Sequence, residues 1–412
     1  MVKISNFARD QRKKGIDLLL KNKIRKGDYE YICPDKITYP WQWLWDSCFH
    51  AYVIRNYCPK LAYSELLSLT RFQTADGFLP HMSYHGKPSA SLPLWGIKNR
   101  SGLTQPPIIG WALYQVYKAS PNVELLELLY PKIRKYYLFL ESVRDPDNDG
   151  LISIIHPWES GWDDSPRWDE PARIKNYTRK SFKKFKLKLV LSYRENEWDQ
   201  QKIIKHTQFN VESVSFNCLY AMSIKKMKNL AEILQIEPDI RHWKNTYNKC
   251  VTSIQEKMWN EKLGIYQDLY HYKDQEHAIT IFTPAIFFPM ILRISSQSQA
   301  ERLVSHLTNP KKFKLRWLIP TVAADEPSFD PSAYWRGTVW INVNFLVSMG
   351  LLKYGYRHIA SDISKSGIHL IKREGFREYF NPISGEGLGA KEFGWSVLAF
   401  EISKLIDDTP KI

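Results

Sequence analysis

The chain has 412 residues, with 58 Lys and Arg against 43 Asp and Glu, 44% hydrophobic residues, 19 glycines and 23 prolines. This composition excludes a disordered, collagenous or fibrous protein, and the length admits two or three domains or one large barrel with a sizeable core. The formal net charge of +15 is compatible with a nucleic-acid partner or an acidic substrate, a choice that depends on how the charge is distributed.

Helical periodicity dominates from the start of the chain. Ile4 and Phe7, followed by Leu18, Leu19 and Leu20, begin an amphipathic helix that ends near Gly27. The pattern predicts helices at about 5–25, 46–58, 60–72, 106–119, 122–144, 208–236, 239–259, 279–292, 297–308, 336–354, 356–373 and 393–407. Links such as Cys58-Pro59, Ser120-Pro121 and Tyr354-Gly355-Tyr356 are short enough to make antiparallel hairpins. The alternate joints, 73–105, 145–207, 309–335 and 374–392, are long and rich in Trp, Gly, Pro, Asp and His, and loops of that length inside a compact chain are usually functional. Twelve helices in hairpins, with elaborated loops gathered at one end, fit an all-α (α/α)6 toroid. No fixed-period repeat supports an open solenoid, and no linker divides residues 1–412, so a single domain is expected.

No apolar run approaches the roughly 20 residues needed to span a bilayer, so neither a membrane anchor nor a signal peptide is expected. Cys33, Cys48, Cys58, Cys218 and Cys250 are odd in number and lack metal-ligand spacing, which fits a reducing cytoplasm. The charge is concentrated in a basic insertion at about 171–205, where Arg173, Lys175, Arg179, Lys180, Lys183, Lys184, Lys186 and Lys188 follow one another with no acid among them. A solvated loop or helix face is the plain expectation for such a run. Tyr177, Phe182 and Phe185 interleave with it, a pattern also suited to a polyanion.

The loops are crowded with tryptophan: Trp41, Trp43, Trp45, Trp95, Trp158, Trp162, Trp168, Trp335, Trp340 and Trp395. An indole packs on the apolar face of a pyranose while nearby Asp, Gln, Arg and His bond its hydroxyls. The densest segment runs from His156 to Asp169 and contains Trp158, Glu159, Trp162, Asp163, Asp164, Arg167 and Trp168. A carboxyl among indoles is desolvated and its pKa rises, as a general acid requires. Asp163 and Glu159 are the candidates, with an ion pair to Arg167 as the structural alternative. A second group, Glu378 and Glu386, lies in the loop Gly375–Gly387 and can supply the base or nucleophile that glycoside hydrolysis also needs.

Four segments resemble the motifs of glycoside hydrolase family 63: Ser160-Gly161-Trp162-Asp163-Asp164-Ser165-Pro166-Arg167-Trp168, Tyr334-Trp335-Arg336-Gly337-Thr338-Val339-Trp340, Phe376-Arg377-Glu378-Tyr379-Phe380-Asn381-Pro382 and Phe393-Gly394-Trp395-Ser396. Related patterns occur in the family 37 trehalases. The similarity runs in order from about Trp41 to Trp395. It implies an (α/α)6 barrel and an inverting mechanism with Asp163 as acid and Glu378 as base, Glu386 being the rival base. It also implies that Asp46, in Trp45-Asp46, binds sugar hydroxyls, and that His81, Gln105, Trp335, Arg336, Trp340 and Trp395 line the pocket. Arg336 has the alternative of bracing a loop carboxylate, and Gln105-Pro106-Pro107 that of a helix start. Trp41, Trp45, Trp158, Glu159, Trp162, Arg167, Tyr379 and Glu386 complete the expected substrate-binding set.

Neither the large β-domain nor the membrane anchor of the eukaryotic processing glucosidases is expected, and the sequence looks like the short bacterial and archaeal members. Some of those hydrolyse mannosyl- or glucosylglycerate, whose carboxylate needs an Arg or Lys, and the basic run follows the acid motif directly. Asp145-Pro146-Asp147-Asn148-Asp149-Gly150 reproduces the first half of a calcium loop, but the twelfth position is His156 instead of Glu. A turn is therefore expected, with no cofactor, calcium on Asp145, Asp147 and Asp149 being the minor alternative. The expectation is an inverting hydrolase of a small α-glucoside or α-mannoside, acting on a small carbohydrate without nucleic-acid or membrane partners. The alternatives are a trehalase-like hydrolase or an idle sugar-binding protein on the same barrel.

Overall fold

The structure is a computed structural model that describes residues 6–273 and 275–410; Ile4, expected in the first helix, lies outside the described residues. The chain builds α1 (Asn6–Lys21), α2 (Leu44–Ile54), α3 (Pro59–Leu69), α4 (Leu92–Trp95), α5 (Ile109–Ala119), α6 (Val123–Arg144), α7 (Arg179–Glu195), α8 (Gln200–His206), α9 (Val214–Ile233), α10 (Glu237–Lys257), α11 (Pro289–Leu292), α12 (Gln297–Leu307), α13 (Ile341–Lys353), α14 (Arg357–Glu374) and α15 (Leu398–Asp408).

Six of them close a ring: α2 packs on α5, α5 on α9, α9 on α11, α11 on α13, α13 on α15, and α15 on α2. The partners α1, α3, α6, α10, α12 and α14 precede them in sequence and form the outer layer, which is the (α/α)6 toroid. The sequence dictates which helix goes where. Every residue of α2 from Leu44 to Ile54 is buried, and a helix that is apolar nearly all round belongs inside. By contrast, α14 buries only one stripe, including Ile359, Ile363, Leu370 and Ile371. Local signals set the ends. Pro59 starts α3, Asn122 caps α6 by accepting from the Leu125 amide at 2.8 Å, and capping boxes open α7 (Thr178/Ser181) and α12 (Ser296/Gln299).

Several expectations are corrected. The segment expected as helix 279–292 is the end of a strand, a 3-10 turn Pro284–Phe287 and the four-residue α11, because Pro284 and Pro289 interrupt any longer ladder. The basic stretch expected as a long joint carries two helices, α7 and α8. The first helix stops at Lys21, and a hairpin of Lys23–Lys26 and Tyr29–Ile32 turns through Gly27. Short strands appear in expected loops and, at Val211–Glu212, inside the helix expected at 208–236, which begins only at Val214. The largest sheet orders Gln275–Ile279, Asp268–Tyr272, Val211–Glu212 and Ser153–Ile154, all antiparallel. Among the described residues no helix is long and apolar enough to cross a membrane.

Candidate active site

The inner helices start at one end of the ring, and the segments leading into them meet there. Trp45 and Asp46 open α2, Gln105 precedes α5, and Trp395 precedes α15. Together with the acid motif and the strand Arg377–Phe380 they enclose a cavity of about 230 Å³. Typical small-molecule pockets hold roughly 300–1,000 Å³, so the occupant is small. Tyr39, Trp43, Trp45, Asp46, His81, Trp95, Gln105, Trp158, Asp163, Tyr334, Trp335, Glu378, Phe393 and Trp395 line it, with Pro34, Met82, Leu94 and Gly161.

Asp163 and Glu378, 215 positions apart in the sequence, share this cavity. Burial pushes the Asp163 carboxyl up to about 7; Lys186 pulls it back, while Asp164 and Glu378 add to the rise. Burial likewise raises Glu378 to about 7, against hydrogen bonds from the Ala390 amide, Tyr39 and Tyr334. The Tyr39 hydroxyl donates to Glu378 Oε1 at 3.0 Å and the Ala390 amide to Oε2 at 2.9 Å. The Trp395 indole donates to the Glu378 carbonyl at 3.1 Å.

Two glycines permit these approaches. Gly161, φ +74°, is so close to Trp45 that a Cβ would come within 2.7 Å of the indole, and Gly389, φ +65°, lies where a Cβ would run into Glu378 Oε2. The third carboxyl, Asp46, is buried, and its Oδ1 has no hydrogen-bond partner among the described residues. Desolvation raises its pKa well above the carboxylate range, with Glu378 and Asp163 contributing. Such an oxygen suits a hydroxyl brought by a ligand.

His81 is held neutral, its pKa lowered to about 4 by burial. Its Nδ1 lies 2.7 Å from the Ser101 hydroxyl and 3.1 Å from the Leu103 carbonyl, contacts that fix the orientation of the ring. Gln105 Oε1 accepts from the Trp45 amide at 3.3 Å.

Other expected residues stand behind the wall. Trp162 and Trp340 sandwich Trp335, at centroid distances of 5.3 and 3.6 Å, and Tyr379 continues the pile at 4.8 Å from Trp340. They fix Trp335, the one indole of this stack that reaches the cavity. Trp41 packs on Tyr84 at 4.9 Å outside it. Glu159 is not a cavity residue: its carboxylate takes both arms of Arg144 at 2.8 and 2.9 Å and the Ile155 amide at 2.8 Å. Arg167, expected to bind substrate or else to pair with Asp163 or Glu159, pairs with Asp268 at 3.1 Å and lies over Trp162 and Trp168. Arg336 braces Asp169 at 2.6 Å and also lies outside the cavity. Glu386 is exposed and does not line the cavity, whereas Glu378 does.

A wider vestibule of about 830 Å³ adjoins the cavity, bounded by Tyr39, Trp158, Asp164, Tyr334, Glu378, Tyr379 and the basic face of α7: Arg179, Lys180, Lys183 and Lys186. Helical spacing puts these four on one side of the helix. Lys186 pairs with Asp164, whereas Arg179, Lys180 and Lys183 make no ion pair with a described residue. Tyr379 belongs to this outer space.

Residues 39–396 match the mannosylglycerate hydrolase MGH1-like glycoside hydrolase domain. The chain belongs to that family. A mannosylglycerate hydrolase of Thermus thermophilus is 32% identical over 93% of this chain and 98% of its own length. The family 63 mannosylglycerate hydrolase from a second strain of Thermus thermophilus, solved in complex with Tris and D-glycerate, superposes with a TM-score of 0.87 at 31% identity, covering 96% of this chain and all of that one. The neutral trehalase of Saccharomyces cerevisiae shares the fold, with a TM-score of 0.60 at 17% identity over 92% of this chain and 74% of its own. Membership makes the chain a glycoside hydrolase.

Within this family member, sequence reasoning missed Tyr39 and Tyr334. Tyr334 heads one of the quoted motifs and Tyr39 precedes Pro40-Trp41, but nothing in a tyrosine's neighbours says that its hydroxyl reaches a carboxylate from another part of the chain.

Proposed function

We propose that this chain hydrolyses a small α-mannoside or α-glucoside of glycerate with inversion, Asp163 donating a proton to the glycosidic oxygen and Glu378 activating water. The observation that carries this reading is the shared cavity: two carboxyls from distant segments, each raised to about 7, with aromatic walls around them. A general acid must hold its proton near neutrality, which the raised pKa of Asp163 provides, and Glu378 retains donors that stabilise its anion. Asp46, Gln105 and His81 offer hydrogen-bonding partners for sugar hydroxyls, and Trp45, Trp335 and Trp395 offer apolar faces.

The leaving group follows from charge. Arg179, Lys180 and Lys183 face the vestibule from α7 and can receive a carboxylate, an acidic group that the similar Thermus enzyme accommodates as D-glycerate. In this reading residues 1–412 are one (α/α)6 domain, and the insertion at 171–205 supplies the anion-binding side. We place the protein in the cytoplasm, where its five free cysteines stay reduced. The test is release of monosaccharide from mannosylglycerate, glucosylglycerate, trehalose, kojibiose and nigerose. The two glycerates should be turned over far more efficiently, and preference for a neutral disaccharide would overturn the assignment.

A further inference from the structure

The segment that leads to the acid motif and the strand that leads to α9 meet on one face of the four-stranded sheet, away from the cavity. Glu212 is fully buried there; its Oε1 lies 2.8 Å from His271 Nε2, and its Oε2 has no partner among the described residues. Ligand atoms of Asp147, Glu212 and His271 all lie within 4.8 Å of one another, as do those of Asp149, Glu212 and Glu276. Two further oxygens are orphaned nearby. Ser153 is the cross-strand partner of Glu212 and so shares its face, while Asn210, two residues before Glu212, falls on that face by alternation. Ser153 Oγ and Asn210 Oδ1 are both buried without a partner.

We propose that Glu212 Oε2, the Asp147 carboxylate, Asn210 Oδ1 and Ser153 Oγ bind one hard divalent cation of the calcium type. Calcium–oxygen bonds of about 2.3–2.6 Å keep any two ligands of one ion within about 5 Å, the spacing found between Asp147 and Glu212; Ser153 and Asn210 join them through their place on the same sheet face. The donor set is oxygen, with His271 Nε2 holding the other oxygen of Glu212 at 2.8 Å. Electrostatics agree: among the described residues, five carboxylates (Asp145, Asp147, Asp149, Glu212 and Glu276) form ion pairs with only two lysines, Lys249 and Lys257. Asp145 is not free to serve, because its two oxygens accept the Asp149 and Gly150 amides at 2.9 Å. Asp149 is held by the Leu151 amide and Lys257. The ion therefore sits deeper than the Asp145-Asp147-Asp149 loop, tying that loop to the sheet, and exposed Asp147 leaves it an entry path. The site does not depend on the glycosidase reading.

The test is calorimetry and elemental analysis on the full-length chain after chelation, with CaCl2 or MgCl2 restored at millimolar concentration. Calcium should raise Tm by several degrees, more than magnesium, with one ion bound per chain. Glu212→Gln and Asp147→Asn should each abolish most of the shift. The second is a surface change that leaves the metal-free Tm near that of the unaltered chain, so the result stands even if Glu212→Gln folds poorly. Absence of any shift or bound ion would show that Lys257 alone balances the charge and would overturn the proposal. So would an undiminished shift in both variants, which would put the ion elsewhere.

Discussion

Tyr39, from the segment before α2, donates its hydroxyl to Glu378 Oε1 at 3.0 Å across the mouth of the cavity. This bond stabilises the Glu378 anion against the burial that pushes the carboxyl up to about 7. Tyr39→Phe should therefore raise that pKa further and move the acidic limb of kcat/KM to higher pH. The loss near pH 6 should be about tenfold or more, the scale of one hydrogen bond to a charged group. A pH profile of the variant with an unchanged acidic limb would contradict the role given to this bond.

Asp163 and Glu378 both titrate near 7 and influence one another, so the pair should give a narrow bell around neutrality. The sign is fixed by the roles: activity falls as pH drops because Glu378 gains a proton, and falls as pH rises because Asp163 loses one. Asp163→Asn and Glu378→Gln should each lower kcat by about a hundredfold or more. Asp163→Asn should also erase the alkaline limb when a substrate with a good leaving group is used. Near-normal turnover in either variant would remove it from the mechanism.

Charge on α7 should be read through the substrate. Lys180→Gln with Lys183→Gln should raise KM for a glycerate glycoside by about tenfold, the scale of one charge-assisted bond, and leave a neutral methyl glycoside unaffected. Initial rates on both substrates at two salt concentrations check this, since an exposed cationic face is screened by salt. Equal effects on both substrates would mean that α7 acts on the fold and not on the carboxylate.

The Arg144–Glu159 pair predicts stability instead of catalysis. Both side chains are essentially fully buried, 1% and 0% exposed, so removing the arginine strands a carboxylate in a low-dielectric interior. Arg144→Met should cost about 3–5 kcal/mol, measurable as a shift in urea midpoint. A change below about 1 kcal/mol would show that the pair behaves like a surface one.

The ring of helices was legible because its signals are local and repeated. The period of 3.6, the proline starts and the short joints recur from hairpin to hairpin, and the largely apolar α2 and α13 separate inner from outer layers. Strands such as Val211–Glu212 and Ser153–Ile154 were not, since two residues carry no periodicity. The polar site was read unevenly for a related reason. Asp163, Glu378, Asp46 and Trp395 line the cavity. Trp162, Trp340, Arg167 and Arg336 sit in the same motifs but face backwards, because the stack behind Trp335 and the ion pairs with Asp268 and Asp169 are tertiary contacts. Residue type marks a neighbourhood; orientation within it is decided by tertiary partners, which for Trp162, Arg167 and Arg336 lie more than 100 positions away.

The configuration of the first sugar released bears on the pairing of Asp163 with Glu378 without any mutant. In real-time proton NMR of hydrolysis of an α-mannosyl or α-glucosyl glycerate, β-anomeric sugar should accumulate first and mutarotate afterwards, because water activated by Glu378 attacks the face opposite the departing group. Initial appearance of the α-anomer would mean a covalent intermediate and would contradict Glu378 as the base.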